Sequence, residues 1–193
     1  IANLRRRELM ERHQRVQQDL EAAREAQRFM LADNHGEMCG LPYAVQFQPG
    51  RDVSGDLFDI IELDGGRVAF VVGDVTGKGV GSAILMAAAQ SHIHSMLVRD
   101  GDPASAVTAV NQYVLTHSPV NRFITLWVGV LDSNSGLFTF VDAGHGHWAH
   151  CTADGEASSN QIAAHPPIGI DGDTTFDCQT VQCAPGDRIV LMT

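Results

Sequence analysis

The triplet Asp64-Gly65-Gly66 constrains this chain more than any other feature of its sequence. It separates Asp56–Leu63 from Arg67–Val72, two runs rich in Val, Ile, Leu and Phe. A glycine-bearing turn between such runs predicts a β-hairpin. Antiparallel pairing about residue 65 then sets position 56 opposite position 74. Both positions hold aspartate in a glycine-bearing turn: Val53-Ser54-Gly55-Asp56 opens the hairpin, and Val72-Gly73-Asp74-Val75-Thr76-Gly77-Lys78-Gly79 closes it. Two carboxylates therefore meet at one sheet end, beside Gly55 and Gly73, which let an ion approach the backbone. Like charges that close repel, and a hard divalent cation such as Mg²⁺ or Mn²⁺ relieves this with oxygen ligands. Asp59, three residues beyond Asp56, points to the other face and is the weaker candidate. A lone aspartate beside glycine is an ordinary turn residue; here the glycines continue, around the only lysine of the chain, Lys78. The phosphate-loop pattern is unmatched, because Gly79 stands where Ser or Thr is required, and so is the dinucleotide fingerprint. ATP binding is not expected.

The remaining elements place this hairpin in an α+β domain. Residues 1–31 contain no Gly or Pro and are rich in good helix formers. Leu9, Val16, Ala23 and Met30 recur at sevens, with His13, Leu20 and Gln27 between them, a heptad with polar flaws. It suits a linker helix or short coiled coil, through which the chain could form a homodimer, or an amphipathic helix lying on its own domain. Residues 32–193 form the second unit. There, Tyr43–Gln48 alternates weakly, Ser82–Val98 looks helical, and Gly101-Asp102-Pro103 stops that helix and starts a second over Ala104–His117. Arg122–Leu131 is apolar on both faces, as in a strand between layers. Ser133-Asn134-Ser135-Gly136 turns it into Leu137–Val141, and Ala184-Pro185-Gly186-Asp187 joins Phe176–Cys183 to Arg188–Met192. Hairpins interrupted by two consecutive helices indicate antiparallel sheets rather than βαβ units.

Composition narrows the function. The 193 residues are 44% hydrophobic and 19% charged, which suits one globular domain. Residues 1–31 carry seven Arg against five acids, whereas the rest carries 6 basic and 18 acidic residues. A body so acidic repels phosphate backbones, so no nucleic-acid partner is expected. No apolar run approaches the length of a membrane span. Cys39, Cys151, Cys178 and Cys183 show no CxxC spacing, and reduced thiols in the cytoplasm are expected. The start at Ile1, with no signal-like segment, suggests a fragment of a longer protein.

The motifs resemble a family. RDVSGDLFD at 51–59 and VVGDVTGKGVGSAILM at 71–86 look like the first two motifs of the bacterial SpoIIE and RsbU type of PPM (protein phosphatase 2C-like) serine/threonine phosphatase. The likeness continues in order through Asn111, Arg122–Leu126, Asp142-Ala143-Gly144-His145, Pro167-Ile168-Gly169-Ile170 and Pro185–Leu191, and covers roughly 24–193. It implies a sandwich of two antiparallel β-sheets flanked by helices, with a Mn²⁺ or Mg²⁺ centre at one sheet end, of two ions in the complete domain. By carry-over, Asp56 and Asp74 are the catalytic metal ligands, Asp74 bridging, with the Val75 carbonyl as a further ligand. Metal-bound water would attack phosphoserine or phosphothreonine directly, so no Cys or Ser nucleophile is needed. Gly55, Gly73, Lys78 and His145 are supporting positions. The family's last strand runs on into Thr-Asp-Gly and further acidic ligands, whereas this sequence stops at Leu191-Met192-Thr193; a truncated rather than degenerate domain is expected.

The resemblance further implies a phosphorylated STAS-domain substrate, an anti-sigma factor antagonist, and an upstream receiver or sensor domain joined through residues 1–31. The rival reading is a degenerate PPM-like adaptor, as in an RssB-like response regulator that controls a sigma factor. Retention of both Asp56 and Asp74 favours the enzyme. A His-bound zinc at His145, His147 and His150 would need a bend in the chain, and His92 and His94 would point apart on a helix. Trp127, Trp148 and most Phe residues are expected in the core. Arg5, Arg6 and Arg7 suit a solvated helix face. Arg51 and Arg122 are the two arginines that could grip a phosphate, neither with a motif behind it.

Overall fold

The computed structural model describes residues 2–46, 53–119, 121–158 and 165–193. Helix α1 spans Ala2–Arg28. Its described side chains are exposed as far as Asp19, after which Leu20, Ala23, Arg24 and Gln27 are half-buried. That spacing is one face of a helix, so only the last two turns lie on the body. The heptad therefore divides: Leu9 and Val16 stand in solvent, while Leu20, Ala23 and Gln27 meet their own domain.

A short hairpin follows, β1 (His35–Met38) with β2 (Leu41–Ala44). The polar β1 carries no alternation and was not foreseen. The extended run expected at 43–48 starts earlier, at Leu41, and its positions 47 and 48 lie outside the described residues.

The foreseen hairpin is β3 (Asp56–Leu63) with β4 (Arg67–Val75), in a register from Asp56↔Asp74 to Leu63↔Arg67. With β5 (Ile124–Asp132), β6 (Leu137–Ala143) and β9 (Gln179–Gln182) these form an antiparallel sheet in the order β3-β4-β5-β6-β9. A second antiparallel sheet has the order β10-β7-β8, from β7 (Trp148–Cys151), β8 (Ala157–Ser158) and β10 (Arg188–Leu191). Thus the turn at 184–187 carries the chain from one sheet to the other instead of closing a hairpin.

Helices α2 (Val80–Asp100) and α3 (Pro103–His117) are consecutive, as expected. Gly101 ends α2 in the left-handed conformation, φ 65°, its amide bonding Leu97 O. Asp102 then caps α3 by accepting from Ser105 N at 3.0 Å, and Pro103 occupies the first turn.

Alternation along the large sheet feeds two cores. Leu57, Ile61, Val71, Leu126 and Val128 pack with Met86, Ile93 and Leu97 of α2 and Val107, Val110 and Val114 of α3. On the other face Trp127, Phe138 and Phe140 meet Trp148, Ile189 and Leu191 of the small sheet. The Trp127 and Phe140 rings stack with centroids 5.3 Å apart, and Trp148 meets Phe140 edge-on at 4.6 Å. The architecture is the expected α+β sandwich of antiparallel sheets, with α2 and α3 on the outer face of the large sheet. Asp56 and Asp74 share the alternation of Phe70, so they stand on the face that looks between the sheets, at its open end.

Candidate metal centre

The pairing Asp56↔Asp74 brings together the two carboxylates that the turn symmetry puts opposite one another. Asp56 is half-buried, and its Oδ2 accepts the Ser54 hydroxyl at 2.6 Å. Solvent reaches Asp74, yet its carboxyl is pushed above the ordinary range. Desolvation is the larger cause and the Asp56 charge the second; the Val75 amide opposes them. Such a carboxylate gains by meeting a cation.

Gly55 forms the floor. Its carbonyl accepts from Val75 N at 3.1 Å. A Cβ on Gly55 would lie 2.8 Å from the Val75 carbonyl oxygen and 3.2 Å from Asp74 Oδ1. Thus the Asp74 carboxylate and the Val75 carbonyl approach the same bare Cα, and any side chain there would fill the cradle. Gly73 has a different reason: a Cβ would come within 2.7 Å of Thr125 O on the neighbouring strand. Its missing side chain serves the close β4–β5 contact rather than an ion, contrary to the reading of both glycines as ion-facing.

The donors are two carboxylates and one carbonyl, all oxygen. That chemistry suits Mg²⁺ or Mn²⁺ and not a thiolate- or imidazole-bound metal. Among the described residues, no group of three or more His, Cys, Asp or Glu side chains is placed to hold a metal. Three of the candidate histidines are engaged elsewhere: His94 Nδ1 meets Asp59 at 2.9 Å, His150 Nε2 meets Asp187 at 2.8 Å, and His92 stacks on Tyr113. Asp59 is buried on the helix side of the sheet, as its parity requires. The four cysteines are free thiols.

The loop after β6 lies at the same sheet end, for Leu126 pairs with Gly73 on one side and bridges Gly144 on the other. Asp142 organises it, its Oδ1 accepting from His145 N at 2.8 Å and Gly146 N at 3.1 Å. His145 thus braces the loop through its backbone amide. Its ring is buried, Nε2 has no hydrogen-bond partner among the described residues, and desolvation lowers its pKa, opposed by the Asp142 charge.

Lys78 is exposed and bonds to nothing among the described residues. Arg122 reaches over Gly81, and its Nη1 donates to Ser82 Oγ at 2.7 Å, which ties down the start of α2. Arg51 lies outside the described residues. A cavity of 480 Å³ between the end of α3 and Arg122, Phe123, Gly169 and Ile170 has neither Asp56 nor Asp74 in its lining.

Three residues were given no role from the sequence. Ser54 bonds Asp56 directly. Gln27 of α1 holds Ser54 by both backbone groups, with bonds of 2.7 and 3.0 Å. Asn111 accepts from Gly169 N and donates to Asp171 O, both at 2.8 Å, and so fixes the 167–170 segment on α3. Only Asn111 carried a signal, as a buried polar residue within an apolar helix face.

Comparison with known proteins bears on this geometry. The family model described as "Stage II sporulation protein E (SpoIIE)" matches residues 64–193. The chain is 22% identical over 178 residues to "Phosphoserine phosphatase RsbU" of Bacillus subtilis, covering 92% of this chain and 53% of that one. It is similar to the solved RsbU and RsbW domains of Rv1364c from Mycobacterium tuberculosis, with 31% identity and a TM-score of 0.64 over 71% of this chain and 38% of that one. The SiaA-PP2C domain of Pseudomonas aeruginosa shares the fold at a TM-score of 0.74 and 20% identity, covering 91% of this chain and 70% of that one. The chain spans between 31% and 53% of the length of the curated relatives it matches first.

Proposed function

Because the chain belongs to the SpoIIE family, we propose that it is the Mn²⁺- or Mg²⁺-dependent serine/threonine phosphatase domain of a bacterial partner-switching protein. The observation that carries this reading is the pairing of Asp56 with Asp74 beside the Val75 carbonyl, over the bare Cα of Gly55. Asp56, Asp74 and the Val75 carbonyl would hold the cation, two ions in the complete domain. When bound, the metal supplies Lewis-acid charge and an acidified water for attack on phosphorus.

The chain's own residues prepare for that chemistry. Ser54 turns the Asp56 carboxylate by a hydrogen bond to Oδ2. The Val75 amide, bonded to Gly55 O, fixes the carbonyl and carboxylate side by side. Gly55 keeps the space over its Cα clear. Attack by water needs no cysteine or serine nucleophile, and the Ser54 hydroxyl is engaged with Asp56.

The substrate is a phosphorylated STAS-domain protein, the partner-switching counterpart of such a phosphatase. Residues 1–31 join the domain to an upstream receiver or sensor, and exposed Leu9 and Val16 suit a second copy of the helix. A twist of that helix would move the hairpin that carries Asp56. The site of action is the cytoplasm; no helix of the described residues is long and apolar enough to cross a membrane.

Phosphate release from a phosphorylated STAS-domain partner by the full-length protein, with and without Mn²⁺, tests the proposal. Metal-dependent turnover that disappears in Asp74→Asn is expected. A folded protein that binds the partner but never releases phosphate at high Mn²⁺ would instead be a PPM-like adaptor.

A further inference from the structure

Gln27 lies in the last turn of α1, and its side-chain amide closes a two-point clamp on Ser54. Nε2 donates to the Ser54 carbonyl oxygen at 2.7 Å, and Oε1 accepts from the Ser54 amide at 3.0 Å. Donor meets acceptor at both ends, so a single orientation of the amide satisfies both bonds. Ser54 then acts on its neighbour. Its hydroxyl donates to Asp56 Oδ2 at 2.6 Å and accepts from the Asp56 amide at 3.2 Å. A continuous part-buried path therefore runs from the N-terminal helix to a carboxylate of the metal centre.

The end of α1 is tied down from a second direction. Gln90 of α2 is only 5% exposed, and its Nε2 donates to Met30 O at 2.5 Å. Above Leu20 the helix is exposed, so the seat on the body is small and these amides are its polar part. Gln90 Oε1 has no partner among the described residues, so the Met30 bond is what holds that amide. Lifting the last turn of α1 would break it together with the two bonds of Gln27 to Ser54.

We infer that Gln27 is a positioning residue for Asp56, so that the seating of α1 sets the affinity of the centre for its cation. The inference rests on the metal-centre reading above and assigns its control to one amide. Loss of a hydrogen bond that orients a metal ligand typically costs about 10- to 100-fold in metal affinity. Whatever draws the last turn of α1 from the body breaks the clamp, frees the Ser54 backbone and lets the Asp56 carboxylate turn away.

Mn²⁺ titration of the full-length protein, followed by electron paramagnetic resonance, tests this without any substrate. Ser54→Ala should weaken Mn²⁺ binding about ten-fold, and Gln27→Ala, one bond further away, about three-fold. Ser54→Thr keeps the hydroxyl and should restore affinity to within about two-fold of wild type, by the same logic. In the double variant Gln27→Ala should add nothing to Ser54→Ala, because no hydroxyl remains to carry the effect. Melting curves without metal, run in parallel, separate coupling from folding. A Gln27→Ala protein that melts lower but binds Mn²⁺ as tightly as wild type overturns the inference, as does an additive loss in the double variant. A wild type that takes up no Mn²⁺ overturns the metal centre itself, and the coupling with it; a wild type that binds while Gln27→Ala binds equally well removes the coupling alone.

Discussion

Asp142 and Asp74 stand at the same end of the large sheet, on β6 and β4 with β5 between them, and both face the gap between the sheets. Asp142 is 5% exposed, and its carboxylate is met by the amides of His145 and Gly146. Asp74 is less well served: the Val75 amide is outweighed by desolvation and by the charge of a second carboxylate across the ladder. The fold thus gives Asp142 two amides and leaves Asp74 with its charge only partly offset. That costs stability, and a ligand that binds only the folded form recovers the difference. One acid holds the loop; the other, on the proposed reading, is kept for a cation.

The largest effect expected is on catalysis. Asp74→Asn should lower Mn²⁺-dependent phosphate release by at least about 100-fold, since even residues that merely orient metal ligands cost up to about that much. Metal-free, the same protein should gain about 0.5 kcal/mol, the scale of one solvent-screened charge pair, and melt about 1–2 °C higher. Asp142→Ala should do the reverse. It strands the amide of buried His145 and unties that of exposed Gly146, costs about 2 kcal/mol and lowers the melting temperature by about 6 °C, with Mn²⁺ affinity retained once folded. A metal-free Asp74→Asn protein that melts lower than wild type would break the contrast. Gly55→Ala tests the cradle. Its methyl group would press on the Val75 carbonyl, and Mn²⁺ titration should show about ten-fold weaker binding, comparable to the loss of a ligand-orienting group.

Much of this was legible because it is local. The pairing of Asp56 with Asp74 follows from a short turn and the two-residue period of strands, and both helices announced their junction through Gly101-Asp102-Pro103. What stayed hidden depends on distant partners. The runs at 176–183 and 188–192 look alike, yet β9 joins the large sheet and β10 the small one. Each yields a strand of four residues, so length does not tell them apart either. Strand β1 is too polar to show alternation, since it packs on no core. The clamp of Gln27 on Ser54 spans 27 positions and joins a helix to a loop, and an amide on a polar helix face looks like any other. Gly73 was legible as a glycine but not as one required by Thr125 O.

The smallest effect concerns a third acid, which sharpens the contrast by titration. Asp187, in the turn between the sheets, accepts from Ala184 N at 2.9 Å, from Ala153 N at 3.0 Å and meets His150 Nε2 at 2.8 Å. The Ala184 amide is the leading cause that holds its carboxyl below the ordinary range, followed by the His150 hydrogen bond. A carboxylate whose folded pKa is depressed contributes stability above its unfolded value of about 3.9, and that contribution is lost as pH falls through the folded pKa. Asp74, with its pKa raised, has the opposite sign: its ionisation opposes folding above the folded pKa and is relieved by acid. Melting curves of metal-free Asp187→Asn should therefore lie below wild type by a constant margin from neutral pH to about pH 5, and the margin should shrink below about pH 4. Asp74→Asn should lie above wild type at neutral pH, its advantage fading as acid protonates Asp74 in the parent. Two aspartates in one sandwich would thus respond to acid in opposite directions, the saturated one losing its contribution and the one with its charge only partly offset being relieved.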